Sequence, residues 1–314
     1  MPKISIIVPC YNEQESIPLF YAAVQKIYQD QIQVTWPQYQ LEYWFIDDGS
    51  TDQTLSAMQT LAHTDSEHSH FVSFSRNFGK EAALYAGLQH ATGDLIVVMD
   101  VDLQDPPELL PQMMSGILEE KYDIIGTKRL DRQGEPVIRS WFANGFYRLI
   151  NHVSQTKLER GARDYRMMTR QVVDTILDLP EYNRFSKGIF SWVGFKTKYL
   201  GYENHDRVAG TTHWSTGDLI NYAIDGIINF SDKPLAIAAF LGLTACGVSL
   251  LAMVFIVGRA LIFGNPTTGW SSIVAIILML GGLQLFCLGI VGKYIGKQYL
   301  ETKHRPIYIT KQEH

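Results

Sequence analysis

A chain of 314 residues is long enough for one large domain with an appendage or for two domains. Its net charge of −5 argues against a general nucleic-acid-binding protein, which would normally carry a basic surface. Three cysteines, Cys10, Cys246 and Cys287, are too few and too scattered for a disulfide framework or a zinc site. The N-terminal apolar run is short and lacks a cleavage site, so we expect no signal peptide and a first domain on the cytosolic side.

The first 130 residues alternate between strand-like and helical patterns. Strands are predicted at residues 4–8, 41–46, 71–74, 95–99 and 123–126, and helices at residues 15–29, 51–62, 80–91 and 107–119. This alternation predicts an α/β fold with a doubly wound, mostly parallel sheet. Ligands of such sheets bind beyond the carboxyl ends of the strands. The residues that follow each strand are therefore the candidates for function.

Polar clusters follow four successive predicted strands. They are PCYNE at 9–13, DDGSTD at 47–52, SRNFGK at 75–80 and DVDLQDPPE at 100–108. Four such clusters at one sheet edge favour a pocket for an anionic ligand over coincidental turns. Arg76 and Lys80 flank the entry to a helix, and a helix N-terminus with two cations is suited to phosphate. The alternative for Lys80 is an ordinary solvated surface lysine.

Asp100 and Asp102 stand one residue apart at the end of a continuous apolar run. Because two neighbouring buried carboxylates repel each other, the pair favours a divalent cation such as Mg²⁺ or Mn²⁺, which prefers oxygen ligands. A polar strand end that opens into a turn, helped by Pro106 and Pro107, explains the same spacing. The pair alone does not decide between these readings.

The C-terminal third contains two long apolar stretches, at about 235–258 and 270–292, each long enough to cross a bilayer. Lysines and arginines gather outside the pair, so both outer flanks are predicted to face the cytoplasm. The predicted domains are a cytosolic domain at 1–213, an amphipathic juxtamembrane helix at 214–232, a hairpin of two transmembrane helices at 233–293 and a cytosolic tail at 294–314. The juxtamembrane helix is predicted to lie in the membrane interface, with an ordinary domain-edge helix as the alternative.

The four motifs, in this order and followed by a hairpin, resemble the family 2 glycosyltransferases. Within them the chain is similar to the polyprenyl-phosphate branch, which contains dolichol-phosphate mannose synthase and the bacterial bactoprenol glucosyltransferases. The resemblance covers nearly the whole chain and implies a GT-A, Rossmann-like fold. It also implies metal-dependent, inverting transfer of a sugar from a nucleotide donor, UDP-glucose or UDP-N-acetylglucosamine, to polyprenyl (undecaprenyl) phosphate for cell-envelope glycosylation.

The resemblance assigns donor-side roles to residues of the four motifs. The metal, Mg²⁺ or Mn²⁺, is expected on Asp100, Asp102 and Gln104, although Gln104 alone could be a turn residue. The residues expected to bind the nucleotide-sugar donor are Pro9, Tyr11, Glu13, Asp48, Arg76, Lys80, Asp100 and Arg129. Among them, Asp48 is expected to accept from the base and Tyr11 to stack on it, with core packing as the alternative for Tyr11.

Acceptor-side roles fall on a later part of the chain. The expected catalytic residues are Asp164, Asp102, Arg184 and Lys187, and those expected at the lipid phosphate are Arg166, Arg184, Lys187 and Arg207. A phosphate acceptor is already mostly ionised near neutral pH, since its second pKa is ~6. We therefore expect Asp164 to orient the acceptor more than to remove a proton. A salt bridge with Arg163 or Arg166 is the alternative for Asp164.

Other functions fit the sequence less well. A processive polysaccharide synthase would carry Gln-x-x-Arg-Trp where this chain reads YNRFSK at 182–187. A non-catalytic membrane-bound nucleotide-sugar sensor would tolerate the loss of Asp102, Asp164 or Arg184, yet all three are present. A dinucleotide-dependent oxidoreductase is excluded because no G-x-G-x-x-G follows the first strand. The expected partners are the donor, the lipid phosphate and the membrane, with homo-oligomerisation through the hairpin left open.

Overall fold

The computed structural model describes residues 1–130, 159, 161–179, 181–203, 226–263 and 269–314, and within them eight strands form one sheet. The strands are β1 (Lys3–Cys10), β2 (Gln40–Asp47), β3 (Ser69–Phe74), β4 (Leu95–Val98), β5 (Ile124–Arg129), β6 (Ala162–Thr169), β7 (Thr197–Tyr202) and β8 (Thr310–Glu313). Their order across the sheet is β7-β5-β6-β4-β1-β2-β3-β8. Strand β1 is parallel to β2 and β4, and β2 is parallel to β3, which confirms the predicted mostly parallel sheet.

Strand β6 lies between β4 and β5 and is antiparallel to both. Its register pairs Val98 with Arg166. When this register is continued by two residues beyond the end of β4, Asp164 comes opposite Asp100. The antiparallel strand therefore brings a later part of the chain to the sheet edge where β1 to β4 end.

Eight α-helices of seven or more residues accompany the sheet within the described ranges. They are α1 (Ser16–Ile27), α2 (Thr54–Thr64), α3 (Lys80–His90), α4 (Leu110–Leu118), α5 (Arg170–Leu177), α6 (Ser186–Trp192), α7 (Lys233–Phe263) and α8 (Trp270–Thr302). A π-helical turn, Tyr28–Ile32, extends α1, and a 3₁₀ turn, Pro107–Leu109, precedes α4. The helices predicted before residue 130 begin and end within a few residues of the observed ones.

The core has two sides because β1 is buried on both faces. Ile6 packs in one cluster with Phe20 of α1 and Met58 of α2. The next residue, Ile7, packs in a second cluster with Leu84 of α3. Apolar residues at consecutive positions of a central strand are what a sheet covered by helices on both faces requires. Ligands of a sheet covered in this way bind beyond the carboxyl ends of its strands.

Helices α7 and α8 are each long and apolar enough to cross a membrane. The chain after α8 returns to the sheet, where β8 is antiparallel to β3 and forms its far edge. The ring of Tyr308 stacks on Phe74 at 4.8 Å between ring centroids, and the Ser75 amide donates to the Ile309 carbonyl at 2.9 Å. The residues predicted as a tail thus include the last turns of α8 and an edge strand. Most of the predicted juxtamembrane helix lies outside the described residues, and residues 226–230 are helical.

Candidate active site

The polar clusters after β1 and β2 are joined by hydrogen bonds from main-chain amides to side-chain oxygens. The Asn12 amide donates to Ser50 Oγ at 3.0 Å, and the Thr51 amide donates to Asn12 Oδ1 at 2.9 Å. The Glu13 amide donates to Thr54 Oγ1 at 2.7 Å. Pro9 lies near the end of β1, and Tyr11, at the rim, is 36% exposed. The first two motifs therefore form one surface, as the parallel order of their strands requires.

Asp48 holds the third motif in place. Its carboxylate accepts from the Phe78 amide at 2.6 Å and from the Gly79 amide at 3.0 Å. Burial raises the pKa of Asp48 to about 6, although these amide hydrogen bonds oppose the rise by stabilising the charged form. Both carboxylate oxygens thus serve the turn that begins α3. The predicted contact between Asp48 and a nucleobase stays a prediction.

Gly49 must have both a left-handed backbone conformation and no Cβ. Its φ is +66°, and a Cβ placed there would lie 2.3 Å from the Arg76 carbonyl carbon and 2.6 Å from the Asn77 nitrogen. We expect Gly49→Ala to lower the free energy of unfolding by about 2–4 kcal/mol and to raise the KM for the donor. Donor kinetics and thermal unfolding are the measurements.

The matched control is Gly194→Ala. Gly194 also has a positive φ, +74°, but its nearest neighbour for a Cβ is the Trp192 carbonyl oxygen at 3.9 Å. Left-handed strain alone predicts a loss of about 1 kcal/mol there, with donor KM unchanged. Equal effects of the two substitutions would contradict the steric contact between the Gly49 turn and the third motif.

Lys80 is the centre of the site. Its ammonium group lies 2.7 Å from Asp100 Oδ1 and 2.8 Å from Asp164 Oδ2. Burial opposes the charge on Lys80, but the two carboxylates outweigh this effect and raise its pKa above the ordinary value. The structure therefore gives Lys80 two anionic partners, one just beyond the end of β4 and one in β6, and excludes the solvated surface lysine that was the alternative.

Asp164 is the second carboxylate of this cluster. Burial alone would raise its pKa, but Lys80, followed by Lys187 and Arg166, lowers the pKa well below the usual range. Asp164 is therefore ionised at neutral pH. Its direct ion-pair partner among the described contacts is Lys80, whereas Arg163, proposed as an alternative partner, lies 3.5 Å from Asp105.

Asp102 and Gln104 lie in a tight turn after Asp100. Asp102 is 6% exposed, and the Gln104 amide donates to its Oδ1 at 3.2 Å. Within the described residues, no group of three or more His, Cys, Asp or Glu side chains could hold a metal ion. The motif offers a cation two carboxylates, those of Asp100 and Asp102, and Asp100 also forms an ion pair with Lys80. These residues fit a divalent cation that receives its remaining ligands from a substrate.

A third aspartate of this motif, Asp105, has a supporting role that the sequence analysis missed. It is 1% exposed, accepts a hydrogen bond from the Tyr202 hydroxyl and lies 3.5 Å from Arg163 Nε. Burial raises its pKa to about 6, with Arg163 acting against the rise. Asp105 thus ties the DVDLQDPPE motif to β6 and β7. The third aspartate of DVDLQD at 100–105 was the feature of the sequence that could have identified this residue.

The cations expected at the acceptor differ in their surroundings. Arg166 is 3% exposed, donates to the Arg163 carbonyl at 2.7 Å and lies over the Phe190 ring. Arg184 is 8% exposed and donates to the Leu179 carbonyl at 2.7 Å, and burial lowers its pKa. Lys187 is only partly buried, and its positive charge helps to lower the pKa of Asp164. Lys187 thus acts on Asp164 through its charge, whereas both arginines donate to main-chain carbonyls.

The remaining predicted residues are three arginines, two of which have described contacts with neighbouring protein groups. Arg76 is exposed and donates to the Asn77 carbonyl at 2.9 Å, with its guanidinium over the Phe78 ring. Arg129, at the end of β5, donates its amide to the Gly161 carbonyl at 3.1 Å. Arg207 lies outside the described residues. Their predicted ligand contacts stay predictions.

Comparison with known proteins places the chain among sugar-transferring enzymes. Residues 5–177 match the model of glycosyl transferase family 2. A bactoprenol glucosyl transferase of Shigella phage SfV is 42% identical over 311 residues, 99% of each chain. A putative glycosyltransferase of Bacillus subtilis is 41% identical over 309 residues, 98% of this chain and 91% of that one. Glucosyl-3-phosphoglycerate synthase from Mycobacterium tuberculosis, a solved structure, is 19% identical over 72% of this chain and 78% of that one, with a TM-score of 0.45.

Proposed function

Because the chain belongs to glycosyl transferase family 2, as its four motifs predicted, and has a GT-A type fold, we propose that it glycosylates a lipid phosphate. The donor is a UDP-sugar carrying glucose or N-acetylglucosamine, and the acceptor is undecaprenyl phosphate. The names of its relatives support a polyprenyl acceptor. The observation that carries the proposal is the position of Lys80, because one ammonium group contacts both the donor-side Asp100 and the acceptor-side Asp164.

On the donor side, Asp100 and Asp102 would hold Mg²⁺ or Mn²⁺ together with diphosphate oxygens, and Gln104 would lie beside them. A bound cation of this kind stabilises the negative charge that develops on the departing diphosphate. Residues of the chain itself would position the diphosphate. Asp48 fixes the turn before α3, and Lys80 places positive charge next to Asp100. Arg76, at the same turn, is placed to bind the diphosphate of the donor.

On the acceptor side, the nucleophile is a phosphate oxygen. This oxygen needs little help from a base, since most acceptor phosphate groups have lost their second proton near neutral pH. Asp164 forms an ion pair with Lys80, and the charge of Lys187 helps to lower its pKa, so we assign it the task of orienting these two cations toward the lipid phosphate. A single displacement from the opposite face of the sugar inverts the anomeric carbon, and no covalent enzyme intermediate is needed.

Helices α7 and α8 would anchor the enzyme where its lipid substrate lies. Lys233 precedes the apolar pair, and Lys293, Lys297, Lys303, Arg305 and Lys311 follow its apolar core. This charge distribution supports an orientation with the catalytic domain and both termini in the cytoplasm. Association of copies through the same helices remains a prediction.

The test is transfer of label from a panel of radiolabelled nucleotide sugars to polyprenyl phosphate in Mg²⁺ or Mn²⁺. We expect labelled lipid with a UDP-sugar, loss of labelling with a chelator, and recovery when metal is returned. Asp102→Asn should lower transfer roughly 10²-fold or more and raise the metal concentration for half-maximal rate. The exposed Asp30→Asn serves as the control. Failure of every donor to label lipid would overturn the proposal, and donor binding without turnover would favour a sensor.

A further inference from the structure

The acceptor segment, residues 182–187, is bonded directly to the membrane helix α8. Glu301, in the last turn of α8, accepts from the Tyr182 amide at 2.9 Å and from the Asn183 amide at 2.8 Å. The side-chain amide of Asn183 donates to the same carboxylate at 2.7 Å and approaches the Lys297 carbonyl at 3.2 Å. One carboxylate therefore satisfies three N–H donors from a segment more than a hundred residues earlier in the chain.

The other end of the acceptor segment is hydrogen-bonded to the residue next to Lys80. Glu81 follows Lys80 directly, and its carboxylate accepts from the Ser186 amide at 2.9 Å and from the Ser186 hydroxyl. Ser186 is the first residue of α6, and Lys187 is the second. The segment is thus held between two carboxylates, one on the membrane helix and one beside Lys80.

A third contact comes from the chain just before α7. Asn229 donates its side-chain amide to the Asn183 carbonyl at 2.8 Å. In the same region, the Tyr294 hydroxyl of α8 donates to the Ser231 carbonyl at 2.6 Å. Asn183 therefore lies at a junction of α8, the entry to α7 and the acceptor segment. Main-chain N–H groups at such a junction need partners, and Glu301 supplies them.

We propose that Glu301 is a positioning residue through which the membrane helix sets the place of residues 182–187, and with them Lys187, against Glu81 and its neighbour Lys80. The inference rests on the proposed function, because its consequence is selective use of the lipid acceptor. Asp48 and Lys80, which organise the donor side, are held by contacts that do not include Glu301. Loss of Glu301 should therefore weaken acceptor binding and leave donor binding unchanged.

The experiment uses the full chain in phosphatidylglycerol vesicles that contain polyprenyl phosphate. Glu301→Ala is expected to raise the KM for polyprenyl phosphate roughly 10-fold or more, since small misplacements of reacting groups have effects of this size. The donor dissociation constant should not change. Glu301→Gln, which keeps one acceptor oxygen, should be intermediate, and the exposed Glu67→Ala should behave like the unmodified protein. Unchanged acceptor KM in Glu301→Ala, or a parallel rise in the donor dissociation constant, would overturn the inference.

A second measurement needs no substrate. Hydrogen exchange at the Tyr182 and Asn183 amides should accelerate in Glu301→Ala, while exchange in β1 stays as it was. Unchanged exchange would contradict the positioning contact even if lipid transfer is confirmed. Absence of lipid transfer by the unmodified protein would instead overturn the proposed function, and the selective role of Glu301 with it.

Discussion

Lys80→Met is expected to lower kcat roughly 10²–10³-fold, as loss of a preorganised charge at a reaction centre does. The methionine has a similar length but leaves Asp100 and Asp164 without the cation that lies between them. Repulsion between the two carboxylates should then raise the pKa of Asp164 and disturb the geometry on both sides of the site. Steady-state kinetics with saturating donor and lipid acceptor are the measurement.

The same substitution should also reduce stability. The Lys80 side chain is 34% exposed, so we expect a loss of about 1–2 kcal/mol in the free energy of unfolding, less than the value for a fully buried pair. Adding Asp164→Asn removes one of the repelling charges and should restore most of that stability without restoring activity. The exposed Lys26→Met is the control. Additive losses in the double variant would contradict the direct ion pair.

The donor half of the site could be predicted because it depends on local sequence. Each parallel strand ends where its apolar run ends, so PCYNE, DDGSTD and DVDLQDPPE had to meet at one edge. The antiparallel insertion of β6 carries no such local signal, since its pattern does not specify which strand it joins. The pairing of Asp164 with Lys80 was therefore not predicted, although both residues were selected.

The structural connections between the membrane helices and the catalytic domain were missed for a related reason. Glu301 reads as one polar residue near the end of an apolar helix, and its three hydrogen bonds come from residues whose place depends on the tertiary fold. Strand β8 is polar and each of its four residues is exposed, so it lacks the alternation that marks a strand in the sequence. Its position follows from β3, which presents an open edge.

The charge state of Asp164 decides how its substitution should change the rate of transfer at different pH values. Its pKa is depressed by Lys80 and Lys187, so the folded protein keeps this carboxylate ionised at every pH above the ordinary aspartate value of ~3.9. The ionised form stabilises the fold across that range, and this contribution is lost only as the pH falls below it. A general base with such a low pKa would be inefficient at neutral pH, since the most effective bases titrate near the working pH.

Asp164→Asn should accordingly lower kcat roughly 10²-fold by the same factor at every pH from about 6 to 9. Both proteins should lose activity toward low pH together, because the acceptor phosphate itself gains a proton with a pKa of ~6. The exposed Asp178→Asn provides the control for surface charge. Recovery of the Asp164→Asn variant as the pH rises would show that Asp164 removes a proton. A constant ratio of rates would instead fix its role as the group that orients Lys80 and Lys187 toward the lipid phosphate.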